Sequence, residues 1–541
     1  MAEMESRPVA EPIASRGYPR RIWIPLVALA IAAVAMLAVP PLLAERYDVG
    51  VGRMASVIFA LLACLTVIAW FFFGAGMPRR ARAVGAILLG SLAVLGVGSV
   101  RRVEFSGDMV PTFDFRWRPD RLAVLEEHRK HSEDVAVAKV SLNDVQIGQY
   151  DVLEYRGPRR DGIEPGPPLA RDWTATPPKL LWRQPCGGGY ASFLVVGPAL
   201  VTIEQRGPNE AIVAYEADTG REIWVSEYPA LFSETAGGDG PRATPTYHDG
   251  RIYALGATGR LTAIDFSSGK ELWHANILQQ NESGNLDWAM SGSPLVYDGL
   301  IVVNPGDQKG TPESRAIAAY GADDGKRKWA AGKSKASYSS LMLVTLGGVR
   351  QLLLFDGAGL AGCDPADGHE LWRLPWKTDW DINAAQPVVL DEEHVAITSA
   401  GGSAVLKVAK DGESWKVDEV WKNRKLKGDY ASPIAHQGYL YALDVNILTC
   451  TDLANGKLKW KDRKAQFGHG QILLRDDLLL VLGEAGELAL VAATPERYEE
   501  LGRIQAIEGK TWNVPTLVGN RIYVRNHLEM AAYELPTATS P

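Results

Sequence analysis

Cysteine is scarce in this chain: there are four in 541 residues, Cys64, Cys186, Cys363 and Cys450, none adjacent and none in a Cys-x-x-Cys pair. That spacing excludes a locally built zinc site, a thioredoxin-like centre and a Cys-x-x-Cys-His haem attachment, and it leaves small buried thiols as the expected state. A basic stripe is missing too. Lys and Arg total 57 against 64 Asp and Glu, net -7, and they are scattered, so no nucleic-acid footprint is present. Of the nine histidines, His128 and His131 stand at i, i+3, yet no third ligand lies near them and a solvated helix face is expected.

What is present begins with three long apolar runs. Residues 22–44, 54–76 and 83–100 are nearly free of charge, and each approaches the roughly 20 residues a helix needs to cross a bilayer. Arg16, Arg20 and Arg21 precede the first run, and Arg79, Arg80 and Arg82 separate the second from the third. The first loop balances Arg46 and Arg53 against Glu45 and Asp48. This bias predicts a cytoplasmic tail over 1–21, a multi-pass anchor in the cytoplasmic (inner) membrane and an extracytoplasmic remainder, although Arg101 and Arg102 fall on the wrong side for a strict count. A cleaved signal peptide is the alternative for the first run, and two spans would still remain. Residues 101–172 read as an extracytoplasmic linker: a charged helix over 120–134, then a turn-rich lead-in containing YRGPRRDG (Tyr155–Gly162) and Pro165-Gly166-Pro167-Pro168.

From Trp173 onward one register recurs. Trp224, Trp273, Trp329, Trp372 and Trp460 each follow a glycine by four residues: Gly220, Gly269, Gly325, Gly368 and Gly456. Eight places before the Trp stand Glu216, Asp265, Gly321, Asp364 and Asp452; ten places before stand the small residues Ala214, Ala263, Ala319, Gly362 and Cys450. A strand, an acid accepting turn N–H groups, a glycine with positive φ and a strand carrying Trp account for this order. An upstream Pro-containing strand and a second β-rich strand make four strands per unit. Spacings from Trp182 through Trp224, Trp273, Trp329, Trp372 and Trp421 to Trp460 are 42, 49, 56, 43, 49 and 39, within or near the period of propeller blades. The expected fold is therefore all-β: an eight-bladed β-propeller of four-stranded blades over 173–541, preceded by three transmembrane α-helices. Lys179–Pro185 is expected to close the last blade, because Trp512–Leu535 supplies three strands. The Trp rings should join neighbouring blades, with the small residues ten places earlier leaving room for a neighbour's ring.

The unit Ala263-x-Asp265-x-x-x-Gly269-x-x-x-Trp273 resembles the repeat of the quinoprotein-type propellers, a family that includes pyrroloquinoline quinone (PQQ) dehydrogenases and BamB-like envelope scaffolds. The resemblance implies an eight-bladed ring. For the enzymes it implies PQQ and Ca²⁺, held by carboxylate and amide oxygens beside an aspartate base. Many of them carry adjacent cysteines under the quinone, which this chain lacks, and about 45 residues per blade matches the compact scaffold type.

Loops entering the inner strand and loops joining the second and third strands open on one face of such a ring, where function usually sits. Those loops collect Glu204, Gln205 and Arg206; Arg242; Asp287 and Trp288; Lys377, Asp379, Trp380, Asp381 and Asn383; Lys427, Asp429 and Tyr430; His469; Lys510, Trp512, Asn513 and Arg525. Asp381 and Asn383 supply the hard oxygens that Ca²⁺ prefers, with Asp381 the candidate base. Arg206, Arg242, Lys427 and Lys510 suit a carboxylated ligand. A solvated rim of self-paired charges is the alternative. Two functions stand open: a binding or scaffold module that meets an envelope protein or a small anionic ligand, with no cofactor required, and a PQQ/Ca²⁺-dependent alcohol or sugar dehydrogenase feeding membrane quinone.

Overall fold

The computed structural model describes residues 21–46, 49–133 and 140–538. Two compact units form, Met1–Arg118 and Pro119–Pro541. Residues 1–20 of the expected tail over 1–21, Asp48 and the last residue of the expected 120–134 helix lie outside the described residues.

The first unit holds α1 (Trp23–Arg46), α2 (Val49–Ala69) continued by a π-helical turn over Trp70–Gly74, α3 (Arg79–Ser99), and a hairpin of β1 (Val100–Phe105) and β2 (Pro111–Phe115). All three helices are long and apolar enough to cross a membrane. All three run further than the uncharged stretches, and α1 takes in Glu45 and Arg46. α2 begins before residue 54 and takes in Arg53, and Arg79, Arg80 and Arg82 form the opening turns of α3 rather than a loop. Long aliphatic stems allow this, since the charged heads reach past the helix. Arg53 pairs with Asp108 at 3.1 Å, and Arg82 bonds the carbonyls of Met77 (3.0 Å) and Phe72 (3.2 Å).

The second unit is a ring of eight four-stranded antiparallel blades. Blade 1 comprises Leu194–Val196, Ala199–Arg206, Asn209–Glu216 and Glu222–Pro229; blade 8 comprises Thr516–Val518, Arg521–Arg525 and Glu529–Glu534, with Lys179–Pro185 as its outer strand. First and last segments thus share one sheet, which leaves no edge open at the seam.

Five of the eight joints between blades are made in the same way. Trp224 donates its indole N–H to Phe266 O (2.9 Å), Trp273 to Ala322 O (2.9 Å), Trp421 to Leu453 O (2.7 Å), Trp460 to Thr494 O (2.8 Å) and Trp182 to Ala217 O (3.0 Å), each acceptor lying in the next blade. The rings of Trp224, Trp273, Trp329 and Trp421 lie under the next blade's glycine, whose missing side chain makes the space: a Cβ on Gly456 would stand 2.7 Å from the Trp421 ring. This corrects one expectation. The small residues ten places earlier face their own blade's Trp across the strand pair, as Ala263 faces Trp273 and Cys450 faces Trp460, and they do not receive a neighbour's ring. Blade 5 turns between its outer strands in a two-residue hairpin, Asp411 to Ser414, so Trp372 turns inward and donates to Gln351 Oε1 at 2.6 Å.

The lead-in belongs to the ring. Val152 bridges Val195 in blade 1, Leu153 accepts from Tyr247 N in blade 2, and Ile163 bridges Leu474 in blade 7. Arg160 donates to Ser293 O (3.2 Å), Pro294 O (2.7 Å) and Leu341 O (2.8 Å) at the inner strands of blades 3 and 4, and Arg156 to Pro433 O (3.4 Å) and Ile472 O (3.0 Å) in blades 6 and 7. A segment bonded to inner strands on so many sides lies across the central channel. The linker expected over 101–172 therefore ends earlier: residues 150–169 are a plug, and α4 (Arg121–Glu133) docks on blade 1 through Arg129 and Glu222 at 3.1 Å. Trp173, 2% exposed, follows the plug and packs against Gly502 in the outer strand of blade 7, where the repeat has no Trp of its own.

Candidate functional site

At the loop face, segments entering the inner strands of blades 6, 7, 8, 1 and 2 bring aromatic rings and cations together. Tyr190 and Trp512 lie with centroids 5.2 Å apart, Tyr430 stacks on Trp512 at 6.3 Å and meets His469 edge-on at 5.1 Å, and His527 lies 6.0 Å from Tyr190. Lys510 Nζ stands 4.4 Å from the Trp512 ring and 5.5 Å from Tyr190, and the Arg242 guanidinium stands 5.0 Å from Tyr190. Each cation is attracted by the electron-rich face of the phenol ring.

Arg242 is held by backbone rather than by acid. Its Nε donates to Trp288 O (2.5 Å) and its terminal nitrogen to Gly238 O (3.1 Å). It makes no ion pair among the described residues, and burial lowers its pKa while Tyr190, Tyr338, Glu234 and Asp239 act in the other direction. Trp288 meets Tyr338 at 5.9 Å, and burial pushes the Tyr338 hydroxyl up to about 12. The glycine run Gly237-Gly238 lies flat on this cluster: a Cβ on Gly237 would stand 2.5 Å from Trp288 and 2.9 Å from Arg242, and one on Gly238 2.7 Å from the Tyr190 hydroxyl. Trp512 donates to Glu484 Oε1 at 3.0 Å, and Lys510 to Ala236 O at 3.4 Å.

Of the expected site residues, Arg242, His469, Lys510 and Trp512 converge here with Trp288 and Tyr430. Asp287 is exposed beside Trp288, and Asp429 is half-buried beside Tyr430. Lys427 uses its backbone N–H on Asp444 (3.0 Å) and is half-buried.

Three others leave the face altogether. Glu204, Arg206 and Arg525 are buried, because the second strands of blades 1 and 8 are buried on both sides. Glu204 accepts from Arg206 (2.7 Å) and Tyr215 (3.0 Å), with Arg525 at 3.6 Å; burial opposes its charge, but the two arginines hold its carboxyl below the ordinary range. Asn513 is likewise buried and bonds Ala191 O at 2.8 Å.

Asp381 and Asn383 face different surroundings. Asp381 is 40% exposed at its side chain and paired with Lys335 at 3.1 Å. Asn383 is fully buried and directs its amide nitrogen to Asp356 O at 2.7 Å. Calcium wants six to eight oxygens around one point, and this pair does not start such a shell. Among the described residues, three carboxylate or imidazole ligands approach within 4.8 Å of one another at Asp364, Asp367 and His369, where Asp364 and Asp367 accept backbone N–H groups of their own blade turn. Burial pushes the thiols of Cys186, Cys363 and Cys450 up to about 12, so none is a thiolate at neutral pH. The residues present do not fit a quinone-and-calcium centre at Asp381.

Sequence reasoning missed Tyr190 and Tyr338. Gly187-Gly188-Gly189 before Tyr190 was the available signal, since a backbone so stripped of side chains marks a close approach.

Comparison with known proteins bears on the family and the fold. The family described as "Outer membrane protein assembly factor BamB" matches residues 172–287 and 208–462. The protein of that name from Burkholderia pseudomallei is 23% identical over 305 residues, covering 54% of this chain and 68% of its own, and that of Bordetella pertussis is 22% identical over 393 residues, covering 72% and 82%. Quinohemoprotein alcohol dehydrogenase of Comamonas testosteroni is 31% identical over 122 residues, which span 21% of this chain and 16% of that enzyme. The crystal structure of that enzyme superposes with a TM-score of 0.52 at 12% identity, covering 72% of this chain and 82% of the other. Likeness at that identity establishes the fold alone.

Proposed function

The chain belongs to the family described as outer membrane protein assembly factor BamB, and from that premise we propose that it is a membrane-anchored scaffold of the cell envelope whose loop face docks a protein partner. In this reading α1, α2 and α3 cross the inner membrane with the N-terminus cytoplasmic, and the propeller stands outside. The observation that carries it is Arg242: a guanidinium stacked on Tyr190, fixed by two carbonyls and with no carboxylate paired to it among the described residues. Rigid aromatic rings beside arginine are the usual composition of an interface hot spot. An acidic side chain or C-terminal carboxylate of a partner segment would complete the pair, with an apolar neighbour laid against Tyr430 and Trp512.

The channel is stopped by the plug, which suits a docking platform. The dehydrogenase reading loses its support at Asp381, which Lys335 already engages.

Capture from detergent-solubilised envelope membranes tests the proposal. The full-length chain should retain a discrete partner, and Arg242→Ala with Lys510→Ala should retain at least about tenfold less, as loss of a hot-spot pair would give. Equal retention by wild type and the double variant would remove the docking site. Tight binding of added PQQ with calcium, followed by alcohol-dependent dye reduction, would return the enzyme reading.

A further inference from the structure

We propose that the β1–β2 hairpin, with the Arg116-Trp117-Arg118 run that follows it, is an interfacial element that seats on the anionic phospholipid headgroups at one edge of the bilayer. The proposal rests on the reading of α1 to α3 as membrane-crossing. α3 has 21 residues, about 31 Å at 1.5 Å per residue, which matches the roughly 30 Å hydrocarbon core. Ser99, its last residue, therefore marks one edge of the core.

Two contacts fix the hairpin at that level. Arg116 N–H donates to Ser99 O at 2.8 Å, so the run after β2 lies level with the end of α3. At the tip, Asp108 pairs with Arg53 at 3.1 Å, in the opening turns of α2. Both ends of the hairpin are thus tied to helix ends on the same side.

Its surface has the composition of that layer. Phe113 and Phe115 share a face of β2, and Trp117, in the turn that follows, stacks on the same side. Their rings form a column, with centroids 6.3 Å and then 4.3 Å apart and the Phe115 and Trp117 planes only 7° apart. Phe113 is 50% and Trp117 68% exposed. Aromatic rings are enriched where headgroups meet hydrocarbon, and an exposed apolar patch usually has a use.

Charge completes the argument. Arg101 is committed inside the hairpin, donating to Arg116 O (3.3 Å) and Arg118 O (2.7 Å) and pairing with Asp114 (3.5 Å). Among the described residues, the exposed guanidiniums of Arg116 and Arg118, which flank Trp117, make no side-chain hydrogen bond or ion pair. Arginine holds phosphate by paired N–H donors, so two such groups beside an interfacial ring suit phosphate-bearing lipid. Arginines on a side where charge bias disfavours them then have a physical role.

The test uses the full-length chain labelled with 5-fluorotryptophan in lipid nanodiscs, read by ¹⁹F resonance. Loss of a signal in Trp117→Phe and in Trp70→Phe assigns the two residues. With phosphatidylglycerol present, a spin label on the lipid headgroup should broaden Trp117 at least about twofold more than a label at the acyl-chain end, as expected for a ring at the interface. Trp117 should shift as phosphatidylglycerol replaces phosphatidylcholine, and Arg116→Ser with Arg118→Ser should abolish that shift. Broadening of Trp117 by a water-soluble relaxation agent alone, with Trp70 still broadened by lipid labels, would overturn the proposal and leave the hairpin open to a protein. Failure of every lipid label to broaden Trp70 would overturn the membrane-crossing reading, and the proposal with it.

Discussion

Trp224 of blade 1 lies beneath Gly269 of blade 2, where a Cβ would stand 2.6 Å from the indole ring, and its N–H bonds Phe266 O at 2.9 Å. One residue of the repeat thus serves the blade before it. At Gly269, Gly325, Gly368 and Gly456 the glycine four places before a Trp makes room for a different Trp, and the strict register is a coupling between successive units.

Gly269→Ala measures that joint. The site combines φ +71° with a ring in the way, whereas Gly250 has φ +72° and open space around it. Gly250→Ala should cost about 1 kcal/mol from backbone strain alone, and Gly269→Ala should cost about 2 kcal/mol more from overpacking. Urea unfolding of the two variants gives the difference; equal costs would mean that the ring moves aside freely.

The plug makes a second expectation. Arg160 is 2% exposed and bonds three blade carbonyls as well as Glu154. Arg160→Met leaves those carbonyls without donors and should cost about 3 kcal/mol, since hydrogen bonds to charged groups are the stronger kind. Limited proteolysis should then cut within 155–165 first. Unchanged protection there would show that the plug is held by other contacts.

Glu164 gives the pH dependence. It lines a cleft of about 300 Å³ with Asp161, His436 and Asp476. Burial, opposed by Arg156, raises its pKa to about 7. The folded state therefore binds the proton more tightly than the unfolded chain, and unfolding free energy should fall as pH rises from about 4.5 to about 7. The contribution is about 3 kcal/mol at 1.36 kcal/mol per unit. Glu164→Gln should flatten that window in a pH series of unfolding curves; an unaltered slope would place the proton elsewhere.

The buried pair Glu204 and Arg206 should behave as structure. Glu204→Ala strands two guanidiniums in the core and should cost about 3 to 5 kcal/mol, while partner capture by the folded fraction stays unchanged. Loss of capture without loss of stability would restore Glu204 to the site.

Blade number, strand order and ring closure were legible in the sequence because a repeated Trp-and-glycine register reports a repeated contact. The plug was not. YRGPRRDG stood out only as turn-rich, and nothing local shows that Arg156 and Arg160 reach carbonyls more than a hundred residues away. Site residues failed for a related reason. Glu204 and Arg206 lie near a loop in sequence, yet both belong to a strand buried on both faces, where two opposite charges can neutralise each other. Lys510 and Trp512 come together with Tyr190 and Tyr430 because loops of neighbouring blades must meet at the channel mouth whatever their detailed path.

The most direct measurement is site-specific photocrosslinking in intact membranes, with p-benzoylphenylalanine in place of Tyr430 on the loop face or Asp249 on the opposite face. The account expects one discrete protein adduct from position 430, none from position 249, and loss of the adduct when Arg242 and Lys510 are both changed to Glu. Adducts of equal yield from both positions, or an adduct at 430 that survives those charge reversals, would contradict it.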